Sequence, residues 1–320
     1  MDRKVKSRDT RFLNRREFNG LCVALSSLVT SLGVSALDTT TAVAASGART
    51  VKFPDGTTVP ALGQGSWHLG QGRRPAAVEE EALRMGLSLG MTLIDTSGNY
   101  GDGRSEELIN RAIAGQRERV FLVSKVETEQ VPGDGMARAC DASLARLGTD
   151  HLDLYLLHWP VRKTEFSKAV AGFESLRASG KIRAWGVSNF SVRQMEDLLR
   201  VPRGDRCATN QVSYSIGDRD IEHDVLPWCT QHGMPVMAYS PLGGLGAGLL
   251  RDPTLARIGA AHGCSAAAVA LAWTIRSGNV IAIPEAGSAA HVKENAVALS
   301  LTLTPQELQT LDAAHPPPGK

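Results

Sequence analysis

From about residue 60 onward, short apolar runs alternate with longer stretches of helical periodicity. The runs at 61–63, 92–95, 120–124, 152–157, 184–187, 209–212, 236–238 and 280–283 are continuous and largely apolar, as strands buried on both faces are. Between and after them, residues 76–89, 105–114, 135–147, 168–179, 192–200, 222–231, 266–276 and 289–299 carry apolar positions at helical spacing. Strand and helix in strict alternation predict a parallel sheet, and eight of each predict an α/β protein, a (β/α)8 TIM barrel. A short N-terminal β-hairpin is expected ahead of it, with 51–53 and 57–59 flanking the turn Pro54-Asp55-Gly56. A C-terminal helix is expected at 305–314, stopped by Pro316-Pro317-Pro318. No low-complexity linker interrupts the pattern, so residues 45–320 are expected to form one barrel domain.

The first 44 residues differ in kind. Asn14-Arg15-Arg16-Glu17-Phe18 precedes a moderately apolar stretch from Leu21 to Val34, and Ala42-Val43-Ala44 follows. This resembles a twin-arginine export signal, residues 1–44, with cleavage after Ala44. Ser26, Ser27, Thr30 and Ser31 interrupt the apolar stretch, which is shorter than the roughly 20 residues a membrane span needs, so no stable membrane insertion is expected. The expected partner is the export machinery and the expected location periplasmic, or cytoplasmic if the signal does not function.

At 320 residues and 42% apolar content the chain can bury a full-sized core. Its net charge of +2 gives no electrostatic support for binding nucleic acid or a membrane surface. The five cysteines contain no C-x-x-C pair and the eight histidines no metal-ligand spacing, so free thiols and no metal site are expected.

Asp95, Lys125 and His158 stand at or just beyond the ends of three successive predicted strands, with Tyr100 just after the first. The intervals of 30 and 33 positions between them approach the length of one strand–helix unit, so all four side chains should project from one rim of one sheet. That rim, at the carboxyl ends of the strands, is where barrels carry catalysis. A phenol with an ordinary pKa near 10 is a poor acid at neutral pH, and an adjacent ammonium lowers that pKa. Lys125 is therefore expected to make Tyr100 acidic, Asp95 to hold Lys125 charged, and His158 to hydrogen-bond a carbonyl oxygen beside the Tyr100 hydroxyl. No dinucleotide fingerprint follows the first strand, where Gly63-Gln64-Gly65 continues into Ser66-Trp67-His68, so a nicotinamide cofactor would bind the barrel itself.

The segments Asp95-Thr96-Ser97-Gly98-Asn99-Tyr100-Gly101, Ser124-Lys125, Leu156-Leu157-His158-Trp159-Pro160, Gly186-Val187-Ser188-Asn189-Phe190, Asn210-Gln211 and Ala238-Tyr239-Ser240-Pro241-Leu242-Gly243, in that order, resemble the aldo-keto reductase family. The resemblance spans about Val51 to Leu311. It implies NAD(P)H-dependent reduction of aldehydes or ketones, with Tyr100 as general acid, Lys125 and Asp95 tuning it and His158 orienting the carbonyl. It further implies that Ser188, Asn189 and Gln211 hold the nicotinamide carboxamide, that Tyr239 stacks on its ring, and that the loop through Ser240, Leu242 and Gly243 approaches the pyrophosphate. Ile283-Pro284-Glu285-Ala286-Gly287-Ser288, with His291, Glu294 and Asn295, matches the adenosine-binding region, but Glu285 stands where many members have lysine and His291 where they have arginine. A carboxylate repels a 2′-phosphate and accepts from a ribose hydroxyl, so the choice between NADP and NAD is expected to be relaxed. Trp67, His68 and Trp159 fall at rim loops and are expected to line an aromatic mouth for a small carbonyl substrate, and the protein is expected to act as a monomer. Two other readings are compatible with the residues: a nicotinamide-binding sensory barrel with little turnover, and a barrel aldolase using Lys125 as a Schiff-base nucleophile.

Overall fold

A computed structural model describes residues 49–244, 248–317 and 319. The segment 1–44 read as an export signal, and Cys22 within it, lie outside the described residues. Strands β1 (Thr50–Lys52) and β2 (Thr58–Pro60) pair antiparallel as the predicted hairpin. The turn between them is pinned by the Thr57 amide, which donates to Asp55 Oδ1 at 2.9 Å.

Eight parallel strands then follow in sequence order: β3 (Gln64–Gly65), β4 (Leu93–Asp95), β5 (Phe121–Val126), β6 (Leu152–Leu157), β7 (Ile182–Ser188), β8 (Asn210–Ser213), β9 (Val236–Tyr239) and β10 (Val280–Ala282). The last meets the first: Gly63 N donates to Ala282 O and Ala282 N to Ala61 O, both at 2.8 Å, and Gly65 N donates to Pro284 O at 3.0 Å. These bonds close the sheet and leave no edge, which is the predicted (β/α)8 barrel. The predicted first strand at 61–63 is thus the seam itself, and regular pairing to β4 begins only at Gln64. Gly65 sits at the seam because a Cβ there would lie 2.7 Å from Ile283 O.

The helices are α1 (Ala76–Ser88), α2 (Arg104–Ala112), α3 (Gly135–Leu147), α4 (Phe166–Ala178), α5 (Val192–Leu199), α6 (Val225–Gln231), α7 (Pro253–Ala261), α8 (Ala266–Thr274), α9 (Ala289–Ala296) and α10 (Pro305–Ala314). Two differ from expectation. The helix expected from residue 222 begins at Val225, because Asp220–Glu222 form a separate tight turn and the Asp224 carboxylate accepts from Val225 N at 2.6 Å. Helix α7 was not expected, although its start is written in Asp252-Pro253, where the Asp252 side chain accepts from Leu255 N at 2.8 Å and proline takes the first helical position. In α8 every residue from Ala267 to Thr274 is buried, so it shows no polar face.

Outside the barrel wall, α4 packs on β7 through Phe173 stacked on Trp185 at 5.1 Å, and the Trp185 indole N–H donates to Glu174 Oε1 at 2.9 Å. Cys140, Cys207 and Cys229 are buried and Cys264 is partly so, all four unpaired. Burial pushes the first three thiols up to about 12, and raises that of Cys264 as well. Among the described residues no single helix is long and apolar enough to cross a membrane.

Candidate active site

The carboxyl ends of the strands open on a cavity of about 940 Å³, within the range of a ligand site. Asp95, Tyr100 and His158 line it, and Lys125 lies directly beneath. The Lys125 side chain is fully buried and spends all three of its protons: Nζ donates to Asp95 Oδ1 at 2.6 Å, to Thr96 O at 2.9 Å and to Tyr100 Oη at 3.1 Å. Burial alone would strip the charge from this amine, but Asp95 and the Tyr100 oxygen outweigh it and hold its pKa above the ordinary lysine value. A charged amine with every N–H committed is no nucleophile, which removes the Schiff-base reading.

Tyr100 departs from expectation. Burial pushes its hydroxyl above the ordinary tyrosine value, and the pull of Lys125 in the opposite direction does not overcome it, because the negative charges of Asp95 and Glu127 add to the rise. Lys125 therefore does not make the resting phenol acidic. The hydroxyl stays protonated through the neutral range, and the ammonium 3.1 Å away is in place for the anion formed once the proton leaves.

His158 approaches Tyr100 edge-on, ring centres 5.9 Å apart, and its Nδ1 is 2.6 Å from Glu127 Oε1. Glu127, one residue past β5, was not singled out in the sequence, where a lone acidic residue carries no motif. Its backbone is fixed by Gln130, whose side-chain oxygen accepts from Glu127 N at 3.0 Å.

On the far side of the cavity the residues expected to hold a nicotinamide form one connected chain. Tyr239 Oη donates to Asn189 Oδ1 at 2.9 Å, Asn189 Nδ2 donates to His158 O and Ser188 Oγ at 3.1 Å, and Ser188 Oγ donates to Gln211 O at 2.8 Å. Gln211 Nε2 donates to Asp95 Oδ2 at 2.8 Å, so the cofactor face and the proton-transfer residues share one carboxylate. Among the hydrogen bonds of the described residues none reaches Gln211 Oε1, which leaves an acceptor at the cavity wall. Asn189 and Ser240, at the ends of β7 and β9, hold left-handed backbone at φ 64° and 50°, a strain that persists where a site over-determines it. Ser240, Leu242 and Gly244 continue the lining, together with Arg251, an exposed guanidinium with no ion-pair partner among the described residues that the sequence had not flagged. Amide-binding groups, an aromatic ring and a cation in one groove fit a nicotinamide dinucleotide.

Other expected cofactor residues stand apart. Gly243, at φ 84°, adjoins the lining without being part of it. Ser288, His291, Glu294 and Asn295 are outside the cavity: the Ser288 hydroxyl caps α9 by accepting from His291 N at 3.4 Å, His291 and Glu294 are exposed, and Asn295 is buried. Glu285 does line the cavity, but its carboxylate turns to the β3 loop, accepting from His68 N at 2.7 Å and meeting His68 Nδ1 at 3.2 Å. His68 is thereby held inside the wall, while Trp67 and Trp159 stand half-exposed at the rim beside His68 and His158. Among the described residues no group of His, Cys, Asp or Glu side chains is placed to hold a metal.

The sequence profile of the Aldo/keto reductase family matches residues 61–316. A methylglyoxal reductase of Escherichia coli (strain K12), YeaE, is 49% identical over 271 residues, 84% of this chain and 95% of that protein. An aldo/keto reductase of Klebsiella pneumoniae, solved in complex with NADP and acetate, superposes with a TM-score of 0.82 at 46% identity, covering 85% of this chain and 97% of its own. An aldo-keto reductase of the same organism in complex with NADPH gives 0.81 at 45% identity, with 85% and 96% covered.

Proposed function

Given that the chain belongs to the aldo/keto reductase family and is an NADP-dependent oxidoreductase acting on carbonyls, we propose that its substrates are small 2-oxoaldehydes of the methylglyoxal type, reduced at the aldehyde to the hydroxy ketone. The observation that carries the chemistry is the Tyr100–Lys125–Asp95 relay, at 3.1 and 2.6 Å, opening on the cavity beside His158. The half-identical methylglyoxal reductase supports the choice of substrate. A second carbonyl next to the reacting one withdraws electrons and gives a further acceptor for the two polar groups at the cavity floor.

When bound, NADPH supplies the hydride to the carbonyl carbon. The protein supplies the rest. Tyr100 and His158 fix the carbonyl oxygen between them, and as the C=O π bond breaks Tyr100 Oη passes its proton to that oxygen. The phenolate left behind is held by the Lys125 ammonium, itself held by Asp95. Trp67 and Trp159 stand half-exposed at the entrance. The discriminating measurement is kcat/KM with NADPH for methylglyoxal and for propanal. Methylglyoxal is expected to be favoured by about tenfold or more, a margin of about 1.4 kcal/mol. Equal values would remove the dicarbonyl preference and leave carbonyl reduction standing.

We further propose that Glu285, which lines the cavity although its carboxylate turns to His68, relaxes the choice between NADP and NAD. A like charge beside a 2′-phosphate costs on the order of 1 to 3 kcal/mol, a factor of about 5 to 150 in affinity. Glu285→Gln keeps an acceptor for His68 N–H while removing the charge, and should tighten NADPH relative to NADH by about fivefold or more. An unaltered ratio of the two dissociation constants would mean that the carboxylate acts on His68 alone.

We also propose that residues 1–44, with Arg15-Arg16 ahead of the apolar stretch Leu21 to Val34, direct export by the twin-arginine route, and that the protein acts as a monomer. Cell fractionation of the full chain and of a form lacking residues 1–44 tests the first: identical distribution would refute it. Sedimentation tests the second, and a dimer at micromolar concentration would refute that.

A further inference from the structure

The contact between His158 and Glu127 constrains which protons the site must hold before it can bind a carbonyl. Nδ1 of His158 is 2.6 Å from Glu127 Oε1, so only Nε2 remains to meet the substrate oxygen beside Tyr100. With Glu127 ionised, Nδ1 carries the proton between them. A neutral imidazole then has a bare lone pair at Nε2 and repels a carbonyl oxygen. Nε2–H exists only when the pair carries one more proton. The pair is then neutral overall, and Nε2 is a donor wherever the shared proton sits between Nδ1 and Oε1.

We propose that Glu127 is a positioning residue that makes carbonyl binding by His158 conditional on this second proton, so that the Glu127–His158 pair sets an upper pH limit of reduction. The inference rests on the carbonyl-reductase reading and deepens it.

The surroundings of His158 do not offer an alternative source for such a limit. From β4 and the segment after it come Asp95, held by Lys125 and Gln211, and the Tyr100 hydroxyl. From β5 comes Lys125, with all its protons committed, and from the residue just after that strand Glu127. Across the cavity lie His68 and Glu285, which hydrogen-bond each other. Burial, ahead of the opposing pull of Lys125, holds the Tyr100 hydroxyl protonated above the ordinary tyrosine value. Glu127 is partly exposed and His158 nearly buried, which leaves the carboxylate open to proton exchange with solvent.

The variant Glu127→Gln decides the matter, because a neutral amide can donate to Nδ1 and so permits the Nε2–H form of a neutral imidazole. For wild type, kcat/KM for methylglyoxal with NADPH should fall along a basic limb as the pair gives up its second proton. In Glu127→Gln that limb should vanish, so that the ratio of variant to wild-type kcat/KM rises about tenfold or more between pH 6 and pH 9. Nitrogen-15 NMR of the His158 ring supplies a readout independent of turnover: at high pH the proton should sit on Nδ1 in wild type and shift to Nε2 in the variant. Parallel pH profiles, or a His158 ring protonated on Nε2 in both proteins at high pH, would overturn the proposal. Failure to reduce any carbonyl in either protein would instead remove the function on which it rests.

Discussion

Tyr100→Phe is expected to lower kcat for carbonyl reduction by about 10²- to 10⁴-fold, the span over which a positioned general acid contributes. The hydroxyl lines the cavity floor and has its anion stabilised in advance, by Lys125 Nζ 3.1 Å away. The ring itself packs edge-on to His158 and beneath the Lys125 ammonium at 4.8 Å from its centre, contacts that phenylalanine keeps. NADPH binding, followed by quenching of tryptophan fluorescence, should therefore change by less than about threefold, or about 0.65 kcal/mol. A phenylalanine variant retaining more than about a tenth of wild-type kcat would show that the proton comes from elsewhere.

Lys125→Met should lose activity to a similar degree and should also weaken the fold, which separates it from Tyr100→Phe. Asp95 is 3% exposed, and without the ammonium its remaining side-chain partner is the Gln211 amide. Leaving a buried charge unpaired costs roughly 3–5 kcal/mol. Denaturant unfolding reads that loss directly, and the double variant Lys125→Met/Asp95→Asn should recover much of it without recovering activity. The raised pKa of Lys125 fixes the sign of the pH dependence: its contribution is complete below the ordinary lysine value of about 10.4 and is lost only as pH climbs through the folded value. A Lys125→Met protein as stable as wild type would show that Asp95 finds another partner or is itself uncharged.

The barrel was legible because burial on both faces leaves parallel strands as unbroken apolar runs, and the relay was legible because Asp95, Lys125 and His158 end three such runs. What stayed hidden depends on distance in space. Glu127 is one acidic residue among many until β5 and β6 pair and bring it to His158. Arg251 follows the loop after β9, and nothing local marks it as facing a cavity. The clasp from Glu285 to His68 joins residues 217 positions apart across the seam of the barrel. The protonated state of Tyr100 stayed hidden for the same reason: adjacency to Lys125 is readable from spacing, but the depth of burial that outweighs it is not.

The four unpaired cysteines bear on where this protein can work. No described covalent link depends on an oxidant, and the thiols of Cys140, Cys207 and Cys229, pushed up to about 12, are almost entirely without the thiolate that disulfide exchange requires. The fold of the described residues therefore draws no stability from a disulfide, and Cys264, only partly buried, is the described thiol most open to its surroundings. Assembly of the described barrel accordingly needs no disulfide isomerase, whatever the redox state of the compartment in which it folds.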